Sequence, residues 1–102
     1  MTPDDRALVD RFLDMMAAEA GSSRHTLAAY RNDLEQTAES VGSLGQASAD
    51  ELSRLGAAWA ELSPSTVARR SASLRRFFGF LIDDGLRGDD PSATLPRLRL
   101  ER

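Results

Sequence analysis

The stretch SPSTVARRSASLRRFFGFLIDDG, residues 63–85, decides the fold. Ser63 followed by Pro64 has the form of a helix start, a hydroxyl cap with proline at the first helical position. Gly85 stands where a helix ends in a left-handed conformation. Between them, Val67, Ser71, Leu74, Phe77, Phe78, Leu81 and Ile82 fall in one sector at about 100° per residue. The spacing predicts a helix over 64–84. Within residues 65–81 there are four arginines and no acid. Arg69 and Arg76, seven apart, stand nearly in line two turns from one another. Ser65, Ala72 and Ser73 share their sector, opposite the apolar stripe, and Arg70 and Arg75 flank it. Phe80 falls on this polar side, to be covered by the turn after Pro91 or by another protomer.

The same reading extends outward to three more helices. Thr2, Pro3 and Asp5 open one over about 3–20, with Leu8, Val9, Phe12, Leu13 and Met16 as its stripe and Gly21 as its stop. Ser22 or Ser23 caps a second over 24–41, with Leu27, Tyr30, Leu34, Ala38 and Val41 on one face. Its opposite face holds His25, Ala29, Asn32 and Gln36, polar but uncharged. The segment GSLGQAS, 42–48, reads as a flexible loop. Ser48 and Glu51 have the spacing of a capping box for a third helix over 49–62, striped by Leu52, Leu55, Trp59 and Leu62. Past Gly85, Asp90-Pro91 opens a short final turn, and LPRLRLER reads as an extended linker. No stretch alternates in the manner of a strand.

Composition narrows the function. The 102 residues carry 41% hydrophobic side chains, enough for one modest domain, and a net charge of −3. No apolar run approaches the roughly 18 residues of a membrane span, and the acidic start MTPDDRALVD is not a secretory signal. With no cysteine, disulfide, thiolate and cysteine–zinc chemistry are excluded, and a reducing cytoplasm is the expected location. All 13 basic residues are arginine. Residues 1–62 hold 5 Arg against 11 acids, a net −6; residues 63–102 hold 8 against 5, a net +3. That asymmetry suggests a side facing a polyanion; a solvated arginine face accounts for it equally well, and an Arg-only usage also follows from codon bias.

The helix of residues 64–84 combines long cationic arms with small side chains. Cations neutralise phosphate, and small residues let a backbone approach a DNA groove. Its SPST start and the SSRHT start of the second helix offer two helix N-termini, each with a partial positive charge that attracts phosphate. A helical protein-interaction module that binds no DNA, using the first helix and Phe80, is the competing reading. Tyr30 lies on the apolar face, as a packing residue rather than a nucleophile. His25, the single histidine, lacks partners for a metal or general-base role, and no phosphate loop or carboxylate cluster is present.

Two segments resemble a known family. SSRHTLAAYRNDLEQ, residues 22–36, is similar to the opening of the N-terminal domain of tyrosine recombinases and phage-type integrases, through Ser23, Thr26, Tyr30, Asp33 and Leu34. LSPSTVARRSASLRRFFGFLIDDGLRGDDPSATL, residues 62–95, is similar to the rest of that domain, through Thr66, Arg69, Leu74, Arg75, Phe77, Phe78, Leu81, Gly85, Asp90 and Pro91. Within the family the chain looks most like the Xer recombinases, its DDPSATL end leaning toward the D-type. The resemblance implies an all-α fold, an orthogonal four-helix SAM-like bundle with a short fifth helical turn. It implies a core-binding domain over 1–95 that clamps double-stranded DNA, with 96–102 beginning the linker to a catalytic domain absent here. By position, Ser23, Arg24, His25, Thr26 and Asn32 would meet DNA from the second helix. Ser65, Thr66, Arg69, Arg70, Ser73 and Arg76 would meet it from the helix of 64–84.

The resemblance places the Arg, Lys, His-x-x-Arg, His/Trp and nucleophilic Tyr of the chemistry in that further domain of roughly 180 residues. These 102 residues are therefore expected to be no enzyme by themselves and to take no cofactor, metal or small-molecule substrate. The expected partners are duplex DNA and other recombinase protomers, four on DNA at full length. The parent role would be chromosome-dimer resolution or integration.

Overall fold

The computed structural model describes residues 1–19 and 21–95. It is all-helical: α1 Pro3–Glu19, α2 Arg24–Val41, α3 Ala49–Ser53, α4 Leu55–Ala58, α5 Pro64–Asp83, and a single 3-10 turn, Pro91–Thr94. No strand occurs among the described residues. The chain divides into two compact units, Met1–Ala47 and Ser48–Arg102. The expected linker, 96–102, lies outside the described residues.

In the first unit, α1 and α2 pack together. Thr2 accepts the Asp5 amide at 3.1 Å, so α1 starts where the hydroxyl, proline and acid predict. Val9, Phe12, Leu13 and Met16 are buried from α1; Leu34 and Ala38 are buried from α2. Leu34 at full burial contributes about 1.5–3 kcal/mol. Gly21 (φ 62°) and Gly42 (φ 84°) take the left-handed backbone that closes α1 and α2. Arg31 pairs with Asp10 at 2.8 Å across α1 and α2, both side chains well exposed. Such a pair contributes at most about 1 kcal/mol.

The loop after α2 is not the free segment its glycines suggested. Leu44 and Ala47 are wholly buried. Asp5, 1% exposed, accepts the amides of Leu44 at 2.6 Å and Gly45 at 2.9 Å. A buried carboxylate thus satisfies two buried backbone donors and ties the loop to the first turn of α1. Gly45 sits close against α1: a Cβ there would lie 2.9 Å from Leu8 Cδ1 and 3.3 Å from Asp5 Oδ1, so the Leu8 side chain would have to shift.

In the second unit, the capping box of Ser48 and Glu51 is present, both hydrogen bonds formed. The helix expected over 49–62 is two short pieces instead. It breaks at Arg54, which lies between α3 and α4, and regular helix ends at Ala58. Leu52, Leu55 and Trp59 are nonetheless buried; Leu62 is half-buried. Ser63 caps α5, accepting the Thr66 amide at 3.3 Å. Leu74, Phe77, Phe78 and Leu81 are buried, and the Phe77 and Phe78 rings meet edge-on at 5.3 Å.

Gly85 (φ 70°) ends α5 as a left-handed residue, with the Leu86 amide returning to the Leu81 carbonyl at 2.8 Å. Asp90 then caps the 3-10 turn, as Asp-Pro predicted. The turn packs on both α3 and α5. Arg75 donates to the Leu95 carbonyl at 2.8 Å and holds the end of that turn. Arg87 lies 5.3 Å from the Phe78 ring centroid and bridges to Asp89 at 2.8 Å. Its hydrogen bond holds the Asp89 carboxyl below the ordinary value.

Three placements on α5 correct the expectation. Ser73, expected on the outward face, is fully buried, and its hydroxyl donates to the Arg70 carbonyl at 2.8 Å. Phe80, expected on the polar side, is 8% exposed, so it offers no open surface to a protomer or another partner. Ile82, expected inside, is 38% exposed. The three shifts have one geometric description: the buried arc of α5 is turned roughly 45° toward Ser73 and Phe80 at 100° per residue. The helical period sets both residues on the polar side of α5, and packing overrides it.

Candidate nucleic-acid interface

Two surface regions carry the expected contact residues, one in each unit. In the first unit, Ser23 accepts the Thr26 amide at 3.2 Å and donates to the Thr26 hydroxyl at 3.1 Å. The cap is thus a pair of hydroxyls, with Ser23 exposed and Thr26 half-buried. Arg24, His25 and Asn32 are exposed. The first turn of α2 holds no acid, and Asp33, the first acidic residue of the helix, is fully buried and does not reach the surface. Residues 22–32 therefore expose hydroxyls, the Arg24 guanidinium, an imidazole and an amide at a helix start, with a second guanidinium, Arg31, held by Asp10, a surface suited to an anion.

In the second unit, the start of α5 repeats the device. Ser63 bonds the Thr66 hydroxyl at 2.9 Å and approaches the Ser65 hydroxyl at 3.2 Å. Pro64 at the first position removes an amide that would have no partner anyway. Ser65, Arg69 and Arg76 are exposed along one line of the helix, with Ala72 half-buried between them. Asp83 lies further along the same line and ends the acid-free run. Thr66 and Arg70 are half-buried at its edge. Ser73 alone among the expected residues lies inside and cannot touch a ligand without unfolding the turn around it.

Asp5 was missed as a determinant of the first unit, although a signal existed. It lies four residues before Val9 and seven before Phe12, on the apolar stripe of α1. An acid at a stripe position announces a buried carboxylate that needs donors. Tyr30 is half-buried on the inward side of α2, as expected of a packing residue. No group of His, Cys, Asp or Glu with metal-site geometry occurs among the described residues, and no helix of the described residues is long and apolar enough to cross a membrane.

An all-helical chain with two capped, acid-poor helix starts matches one known family. Residues 9–85 fit the model of the phage integrase N-terminal SAM-like domain, and the chain belongs to that family. Among its relatives are tyrosine recombinases of the Xer type. The chain is 53% identical over 96 residues to the tyrosine recombinase XerC of Erythrobacter litoralis, covering 94% of this chain and 31% of the relative. It is 41% identical to the XerD of Bradyrhizobium diazoefficiens, over 91% of this chain and 31% of that one. It is 42% identical to the XerD of Rhizobium meliloti, over 93% and 32%. The chain thus spans about a third of the length of these relatives. Both C-type and D-type Xer recombinases occur among them. No solved structure matches.

Proposed function

We propose that this domain binds duplex DNA as the N-terminal part of an Xer-type site-specific tyrosine recombinase. The observation that carries the reading is the outward line of α5. It sets Ser65, Arg69 and Arg76 on exposed surface with no acid from Ser63 to Ile82, in a chain whose net charge is −3. A carboxylate within that stretch would repel a phosphate backbone, and the first acid on the line, Asp83, comes only two turns beyond Arg76, at the far end of the helix. The start of α2, with Ser23, Arg24, His25 and Thr26, serves as a second phosphate contact of the same kind.

In this reading residues 1–95 are the DNA-binding part and 96–102 lead toward a catalytic region. Strand exchange would belong to that region, in assembly with other recombinase protomers, and would serve chromosome-dimer resolution or integration. Location in the cytoplasm follows from acting on DNA there. The competing reading, a protein-interaction module built on the first helix and Phe80, loses its aromatic contact, because Phe80 is buried.

Fluorescence anisotropy with a labelled duplex at about 20 mM salt, where electrostatic attraction is least screened, tests the proposal. With four to six phosphate contacts, the affinity falls with a log–log salt slope of about −4 to −5. Arg69→Ala and Arg76→Ala each weaken binding and lower the slope by about 1, with the helical circular dichroism unchanged. Binding by both variants equal to the parent's would show that this face is not the interface.

A further inference from the structure

The far end of α5 is apolar and acidic where its middle is cationic. Ile82 and Leu86, 38% and 45% exposed, are the large apolar side chains left open among the described residues. They stand four residues apart at one helix end, where the Leu86 amide folds back to the Leu81 carbonyl. Ile82 lies seven residues after Arg75, so the two share one line of the helix. Between them on that line is half-buried Gly79, and a Cβ there would meet open space. The line is thus a shallow apolar trough, running from Arg75 to the end of α5. Exposed Asp83, Asp84, Asp89 and Asp90 follow in the chain. Residues 83–90 hold four Asp against one Arg, a net −3. We propose that this trough is the docking site of residues 96–102 of the same chain, PRLRLER, with Leu98 and Leu100 seated on Gly79, Ile82 and Leu86.

The segment begins where the trough begins. Arg75 holds the Leu95 carbonyl at 2.8 Å, so residue 96 starts beside the same line of α5. Leu95 is itself buried at the end of the 3-10 turn. From Arg75 to Ile82 is about 10 Å along the helix axis. Leu98, three residues past Leu95, reaches about 10 Å in an extended chain. Leu100 reaches about 17 Å, far enough for Leu86 beyond the helix end. Residues two apart in an extended chain share a side, so Leu98 and Leu100 face the trough together and Arg97 and Arg99 line the other side. The charges match as well. Residues 96–102 hold three Arg against one Glu, a net +2, opposite the −3 of residues 83–90. A twofold pairing with a second copy would instead set two such acidic ends against one another, which like charges oppose. Seated in the trough, the segment belongs to the domain. The chain then leaves at the C-terminal end of α5 rather than beside its cationic middle, and a following region is tethered there. This inference is independent of the DNA-binding reading.

The experiment is NMR on the 102-residue chain with isoleucine and leucine methyls labelled. Ile82 is the chain's only isoleucine, so its δ1 methyl gives one assignable signal. Nuclear Overhauser contacts from that methyl to the methyls of Leu98 or Leu100 are expected. The double variant Leu98→Ser with Leu100→Ser loses them and moves the Ile82 and Leu86 methyl signals. It is also cut by trypsin after Arg97 about 10-fold faster than the parent, the factor that burial of one leucine side chain supplies. If the Ile82 methyl has no contact with Leu98 or Leu100, and its signal is the same in the double variant, docking of this segment is overturned. If the contacts arise only between differently labelled molecules in a mixed sample, the patch is an interface between copies, and the proposal is overturned too. Both substitutions lie beyond the packed residues, so the variant is expected to keep the parent's fold, which circular dichroism checks.

Discussion

Replacing Asp5 with alanine tests how the first unit is held together. The carboxylate is 1% exposed and accepts two backbone amides, Leu44 at 2.6 Å and Gly45 at 2.9 Å. Both recipients are themselves buried, so removing the acceptor strands two donors away from water. Each stranded donor costs about 1–3 kcal/mol. A water entering the vacated space recovers part of that, so the expected loss is about 2–4 kcal/mol, out of a total stability of about 5–15 kcal/mol. Asp5→Asn separates hydrogen bonding from volume. Its one carboxamide oxygen can serve one amide, while its NH2 group faces the other as donor against donor. That variant should lose about half as much. Urea unfolding followed by far-UV circular dichroism measures both, with Cm shifting and the m-value constant. If both variants unfold within about 0.5 kcal/mol of the parent, the loop is not held by this carboxylate.

Ser65→Asp and Ser73→Asp form a contrasting pair. At the exposed start of α5 the new carboxylate favours the helix dipole by about 0.3–1 kcal/mol, yet repels DNA; stability should hold or rise while duplex binding falls. At buried Ser73 the same change places a charge without a partner in the interior and should cost several kcal/mol; equal effects of the two on unfolding would refute the observed placement of Ser73. Gly85→Ala forces a side chain into φ 70° and should cost about 1–2 kcal/mol in thermal or urea unfolding; no change would mean that the left-handed cap of α5 is absent. Asp89, whose pKa is depressed by the Arg87 hydrogen bond, should titrate by NMR below 3.8. The sign follows: the pair's small stabilisation is present above 3.8 and is lost as pH falls through the lower folded value. In Arg87→Met the Asp89 midpoint should return to the ordinary value.

Much of this architecture is local and therefore legible in the chain. Ser23, Ser48, Ser63 and Asp90 cap because their side chains reach amides two or three residues ahead, which sequence spacing alone specifies. Gly21, Gly42 and Gly85 end helices because only a residue without Cβ takes that backbone freely. The exposed Arg69–Arg76 line follows from a seven-residue spacing. The rest is decided at long range. Asp5 meets amides 39 and 40 residues away, which turns a glycine-bearing loop into a buried segment. Arg75, placed by the helical period beside the cationic face, is drawn instead to a carbonyl 20 residues on. The period sets Ser73 and Phe80 on the polar side of α5 and Ile82 in its apolar sector; packing buried the first two and left Ile82 exposed. The acid-free run with its four arginines was thus set by sequence, but which of its residues share the surface was set by the tertiary fold.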